Sequence, residues 1–260
     1  MTLMSPTADG RPPLTYAPVP YVPEVSIFQA PAGTGLWDAS DGAYHSDRPP
    51  PFWAFPWAGG QALARYVLDH PGIVAGKAVL DLGAGSGLVA IAAAYAGASK
   101  VRAVEVDPAA LDAIRRNVAE ASRASRALRG GPADVRVEAV LEDLLADPSA
   151  DLGGDIDVLL AGDMFYTGRL RDLSMRFLRR TERRGARVLV GDGGRGFLPA
   201  DSFEQLASYD VPTPVAIEDA DQKVATVWAL RRSTTVGGTS QPTRSAATSG
   251  GLSRAPGQGR

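Results

Sequence analysis

The sequence predicts an α/β protein built on one doubly wound, seven-stranded, mostly parallel sheet. Three observations carry that expectation. Short apolar runs alternate with stretches of helical periodicity, the pattern of βαβ units whose strands are covered on both faces. A glycine-rich turn at 83–87 joins a strand-like run to a helical one. Acidic residues stand where the strand-like runs end, at Glu105 and Asp163.

The elements follow in order. Strand-like runs are AVLDL (78–82), VRAVEV (101–106), VRVEAV (135–140), IDVLLA (156–161), RVLVGD (187–192) and VATVWAL (224–230), the last paired with a run around 211–217. Small apolar residues over 87–95 suit a helix packed on a sheet. Residues 108–122 place Leu111, Ile114 and Val118 on one face, with Asp107 as N-cap and Pro108 in the first helical position. A third helix over 169–181 presents Leu170, Leu173, Phe177 and Leu178. The expected domain spans 21–232, with an aromatic N-terminal segment at 21–70 and the doubly wound core at 71–232. Residues 1–20 read as a disordered proline-rich lead-in. The tail 233–260 holds too few large apolar residues to offset its ordering entropy.

Composition narrows the function classes. The 260 residues are 45% hydrophobic, enough for a substantial core, and the net charge of −2 gives no broad basic field for nucleic acid. With no cysteine and two histidines, His45 and His70, disulfides, thiolate zinc sites, cysteine nucleophiles and multi-histidine metal sites are all disfavoured. No apolar run reaches the roughly 20 residues of a membrane span, and the N-terminus shows neither a signal-peptide nor a transit pattern. A cytoplasmic protein that binds neither membrane nor metal is expected.

The turn Asp81-Leu82-Gly83-Ala84-Gly85-Ser86-Gly87 lets backbone approach a ligand with no Cβ in the way. A dinucleotide fingerprint reads G-x-G-x-x-G and aims a helix N-terminus at a pyrophosphate. Here the spacing is G-x-G-x-G, and Asp81 precedes it. A carboxylate there repels a pyrophosphate but suits a cationic amino-acid end, which favours S-adenosylmethionine over NAD. Glu105, 18 residues after Gly87, can accept the ribose hydroxyls of an adenosine or serve only as a charge before the next helix. Glu142 and Asp143 stand where an adenine amino group would lie, or cap a loop. At the reaction edge of the sheet, Asp163 and Tyr166 can hold an amine between a carboxylate and a phenol; the alternative has Asp163 capping a helix and Tyr166 packing at the rim. The aromatics Phe52, Trp53, Phe55 and Trp57 are either a wall facing a sulfonium or part of the core.

From about Pro50 to Leu230 the chain resembles the lysine methyltransferases that act on the β subunit of electron transfer flavoprotein, members of the class I (Rossmann-like) seven-strand methyltransferases with a D-x-x-Y motif after the fourth strand. The resemblance rests on FWAFPWAGGQALARYVLDHP, GKAVLDLGAGSG, the stretch from GASK to VDP at 97–108, GDMFY, VLVGDGGR at 188–195 and ATVWAL. It implies S-adenosylmethionine as cofactor, held by Asp81, Gly83, Gly85, Glu105 and Asp163, with Trp57 contacting it ahead of the first core strand. Asp163 and Tyr166 are implied as catalytic. Glu105 stands where aspartate is usual, and Ser86 where animal members have cysteine. The implied partner is a protein, the flavoprotein β subunit, met by a monomer. Rivals are an N-methyltransferase for a small nicotinamide-like amine, an NAD-dependent oxidoreductase, and a non-catalytic module that keeps the fold.

Overall fold

The computed structural model describes residues 14–30, 51–127, 135–147, 154–218 and 220–233. Two strands, β1 (Thr15–Val19) and β2 (Val22–Gln29), form an N-terminal hairpin. The core then runs α1 (Ala58–Asp69), β3 (Ala78–Leu82), α2 (Leu88–Tyr95), β4 (Lys100–Glu105), α3 (Pro108–Ala127), β5 (Val137–Leu141), β6 (Val158–Gly162), α4 (Gly168–Arg183), β7 (Arg187–Asp192), β8 (Phe203–Pro212) and β9 (Gln222–Leu230). The seven strands lie in the order β5-β4-β3-β6-β7-β9-β8, with β9 antiparallel to both its neighbours. Sequence order reverses between β3 and β6, which pair in parallel through Leu82 and Ala161. A crevice at the carboxyl ends of strands beside such a switch point is where doubly wound sheets take ligands.

Strand residues divide by parity. Val79, Val101, Leu160 and Leu189 face α1, α2, α3 and the hairpin, packing with Leu63, Ile91 and Ile114. Leu80, Leu159, Val188 and Val190 face Phe177 and Leu178 of α4, with Phe165 and Phe203 alongside. Each such side chain, once buried, contributes roughly 1.5–3 kcal/mol. At the start of α3, Asp107 Oδ1 accepts the Ala109 N–H at 2.8 Å, the expected cap; the helix continues to Ala127, past the expected end at 122.

The structure corrects the lead-in expected over 1–20. From Thr15 the chain forms β1, paired antiparallel to β2 through Tyr16–Phe28 and Ala17–Ile27. Packing decides this: Val19, Val22, Val25 and Ile27 are fully buried against the core. Prolines are tolerated because a two-stranded ribbon leaves outward N–H positions without ladder partners. Side-chain amides fasten the hairpin down. Gln61 of α1 accepts the Tyr21 N–H at 3.1 Å, and Asn117 of α3 accepts the Phe28 N–H at 2.8 Å while donating to Ser86 O at 2.8 Å. The hairpin therefore braces the glycine-rich turn itself. Residues 1–13 and 234–260 lie outside the described residues.

A second correction concerns the run at 211–217. Its strand is β8, ending at Pro212, while Val215–Glu218 form a helical turn. The strand sits at the sheet edge, half-exposed and with a register shift between Gln205 and Ala207, so its sequence shows little alternation. Among the described residues, no helix is long and apolar enough to cross a membrane.

Candidate active site

A concavity opens at the switch point, lined by Phe52, Phe55, Pro56, Trp57, Gly60, Asp81, Gly83–Ser86, Leu88, Val89, Gly162 and Asp163. Its β3 wall is local in origin. Gly83 and Ala84 donate to Val104 O at 3.0 and 3.1 Å, folding the turn over β4. Gly83 at φ 65° and Gly85 at φ 54° occupy left-handed backbone that a side chain disfavours. The Gly85 N–H donates to Glu105 Oε1 at 3.0 Å, while Glu105 Oε2 accepts Val106 and Asp107 N–H groups at 2.8 and 3.4 Å. Glu105 thus stitches the turn to the end of β4 and keeps few lone pairs for a ligand.

Asp81 is 1% exposed, and its Oδ2 has no hydrogen-bond partner. Burial pushes its carboxyl up to about 8; a hydrogen bond from the Ala90 amide at the start of α2 opposes this, and the Glu105 charge adds to it.

The β6 wall is long-range. Asp163 follows β6 at φ 51°, the described non-glycine residue with positive φ. Its N–H donates to Gly191 O at 2.8 Å, and its Oδ2 accepts the Gly60 N–H at 2.6 Å. Asp163 does cap a helix, but α1 across the crevice rather than the helix that follows it. This is possible because α1 lies directly on the strand ends: a Cβ at Gly59 would stand 2.6 Å from Gly191 O and 2.7 Å from Asp163 Oδ1. Oδ1 is buried without a partner. Burial, then the Glu218 charge, raise the Asp163 carboxyl to about 7 against the Gly60 hydrogen bond.

Aromatics form the mouth. Trp57 donates from Nε1 to Phe52 O at 2.7 Å and meets Phe55 edge-on at 6.1 Å. Phe52 and Tyr166 rings lie 6.1 Å apart, and both residues are substantially exposed. Burial of the Tyr166 hydroxyl and the Glu105 charge raise its pKa, so it remains an O–H donor at neutral pH. Trp53 belongs to the core instead, packed with Ala54, Ala110 and Ala113. Glu142 pairs with Arg102 at 3.6 Å, and Asp143 accepts Leu145 and Ala146 N–H groups, which is the capping alternative for that acid. Sequence reasoning missed Glu218, Arg195, Gly59 and Gly191; the GG and GDGG doublets were the available signal for the glycines.

Asp81 and Asp163 both line the concavity, and each keeps one buried oxygen without a partner, Asp81 Oδ2 and Asp163 Oδ1. Such groups are costly unless something pairs with them. A ligand with a cationic amino-acid end supplies what Asp81 lacks, and a pyrophosphate does not. Among the described residues no acid or histidine cluster could hold a metal.

A sheet of this order with its acids and glycine turn at the switch point defines a class I S-adenosylmethionine-dependent methyltransferase. The electron transfer flavoprotein beta subunit lysine methyltransferase of Mus musculus is 38% identical over 198 residues, covering 74% of this chain and 70% of that protein. The Homo sapiens protein is 36% identical over 202 residues, covering 75% and 70%. The chain belongs to the electron transfer flavoprotein beta subunit lysine methyltransferase family. A Caenorhabditis elegans homolog is 29% identical over 224 residues, covering 80% of this chain and 89% of that protein. The ribosomal protein L11 methyltransferase (PrmA) family model matches residues 61–170.

Proposed function

We propose that this methyltransferase acts on lysine side chains of the β subunit of electron transfer flavoprotein. The observation that carries the proposal is the 36–38% identity to lysine methyltransferases of that subunit over about three quarters of the chain, supported by Asp163 in the lining of the concavity. S-adenosylmethionine, when bound, supplies a methyl group on a positive sulfur for in-line transfer. Asp81 takes the cofactor's ammonium, and Gly83 and Gly85 admit its backbone-hugging part. Glu105 holds the turn in shape and offers its remaining lone pair to the ribose. Trp57 forms the aromatic wall.

Asp163 and Tyr166 orient the target amine by accepting its N–H groups, Asp163 at its carboxylate and Tyr166 at its hydroxyl oxygen, which leaves the nitrogen lone pair free for the methyl. Alignment and exclusion of water are the protein's main contributions to such a displacement. The nucleophile must be neutral, and from a reference pKa near 10.4 deprotonating lysine at pH 7 costs about 4.6 kcal/mol. Asp163 favours the charged amine, so it positions the nucleophile, and the proton leaves to solvent before transfer.

The test is to incubate purified protein with labelled cofactor and, in parallel, isolated flavoprotein β subunit or pyridine-type amines. Label on lysines of the β subunit, located by mass spectrometry, is expected. Label confined to the small amines would overturn the substrate assignment, and tight cofactor binding without any turnover would overturn the enzyme.

A further inference from the structure

Helix α1 begins just after Trp57, its N-cap residue, whose side chain caps nothing, so its first-turn N–H groups need outside acceptors. Two acids from distant parts of the chain supply them. Asp163 takes the Gly60 N–H, and Glu218 Oε1 takes the Ala58 N–H at 3.1 Å. Glu218 is 2% exposed, an expensive place for a carboxylate unless well paired. Its Oε2 accepts from Arg195 Nη2 and Lys223 Nζ, each at 2.9 Å. The Arg195 guanidinium in turn lies 5.1 Å from the centroid of the Trp57 ring. One buried acid therefore holds both the start of α1 and, through Arg195, the face of the aromatic wall.

We infer that Glu218, acting with Arg195, is a positioning residue that holds Trp57 and the first turn of α1 against the cofactor cavity. The inference rests on the reading that this concavity takes the cofactor. The turn Val215–Glu218 thereby links the β8–β9 connection to the site, with neither Glu218 nor Arg195 among its lining residues. Lys223 shares Glu218 Oε2, while the cation over the Trp57 ring is that of Arg195, so Lys223 serves as an internal control.

The experiment measures S-adenosylhomocysteine affinity by calorimetry, alongside melting temperature, for wild type, Glu218→Gln, Arg195→Met, Arg195→Lys, Lys223→Met and the Glu218→Gln/Arg195→Met double variant. Loss of a charge-assisted contact predicts about tenfold weaker binding for Glu218→Gln and for Arg195→Met. The double variant is expected to lose no more than either single one, because both act through one pair. Arg195→Lys keeps the ion pair and recovers most of the affinity, and Lys223→Met stays close to wild type. Affinities of Glu218→Gln and Arg195→Met equal to wild type, or losses that simply add in the double variant, would overturn the inference. If Glu218→Gln does not fold, Arg195→Met and Arg195→Lys decide it, since Arg195 is partly exposed. Failure of wild type itself to bind would instead sink the cofactor assignment beneath it.

Discussion

Asp81 and Asp163 end adjacent parallel strands, accept helix N-terminal amides, and each keep one buried oxygen without a partner. They arise by opposite routes. Asp81 is placed by its own turn: the next six residues carry the chain over β4 and into α2, whose Ala90 amide meets it. Asp163 is placed by packing across 103 residues of sequence, where glycines let α1 rest on the ends of β6 and β7. The first arrangement survives any fold that preserves the strand–turn–helix unit. The second exists only once the whole sheet is assembled.

Breaking the long-range half alone has the largest expected effect. A Cβ at Gly191 collides with Gly59 backbone, which no rotamer can relieve, so Gly191→Ala should cost about 3 kcal/mol or more in chemical denaturation. An equal midpoint for variant and wild type would show that α1 does not sit where Asp163 needs it. Asp163→Asn keeps the size of the side chain and an acceptor for Gly60 but removes the charge. Turnover on the flavoprotein subunit should fall by about 100-fold, with cofactor affinity changed far less. Full turnover with unchanged cofactor affinity would refute the role given to this residue.

A smaller effect treats the two acids alike. Both bind a proton more tightly folded than unfolded, where the value is 3.8. Their contribution to stability is therefore complete below about pH 4 and is lost as pH rises through about 7 for Asp163 and about 8 for Asp81. The ligand-free protein should melt lower at pH 9 than at pH 6, by about 2–4 °C for each kcal/mol lost. A flat profile across that window would mean the two oxygens find partners in solution.

The same contrast explains what was legible in the sequence. The strands 78–82 and 187–192 match β3 and β7 residue for residue, because strands buried on both faces read as continuous apolar runs. The glycine turn and Asp81 were legible because their geometry is encoded in consecutive residues. That Asp163 caps α1 was not, nor was Glu218 as an acceptor for the same helix, since both follow from tertiary contacts that no local pattern records. Proline content hid the hairpin, although Val19, Val22, Val25 and Ile27 supply its buried apolar side chains.

The proposal most open to direct test is that Asp81, buried with one oxygen lacking a partner, pairs with the ammonium of the cofactor. With its carboxyl near 8, Asp81 is mostly neutral at pH 7 and must ionise to pair. Calorimetry of S-adenosylhomocysteine binding at pH 7, in buffers of different ionisation enthalpy, measures this directly. The account predicts net release of up to about one proton by wild type and none attributable to this site in Asp81→Asn, which should also bind about tenfold more weakly. Binding heats independent of buffer, or the same release from Asp81→Asn, would contradict it.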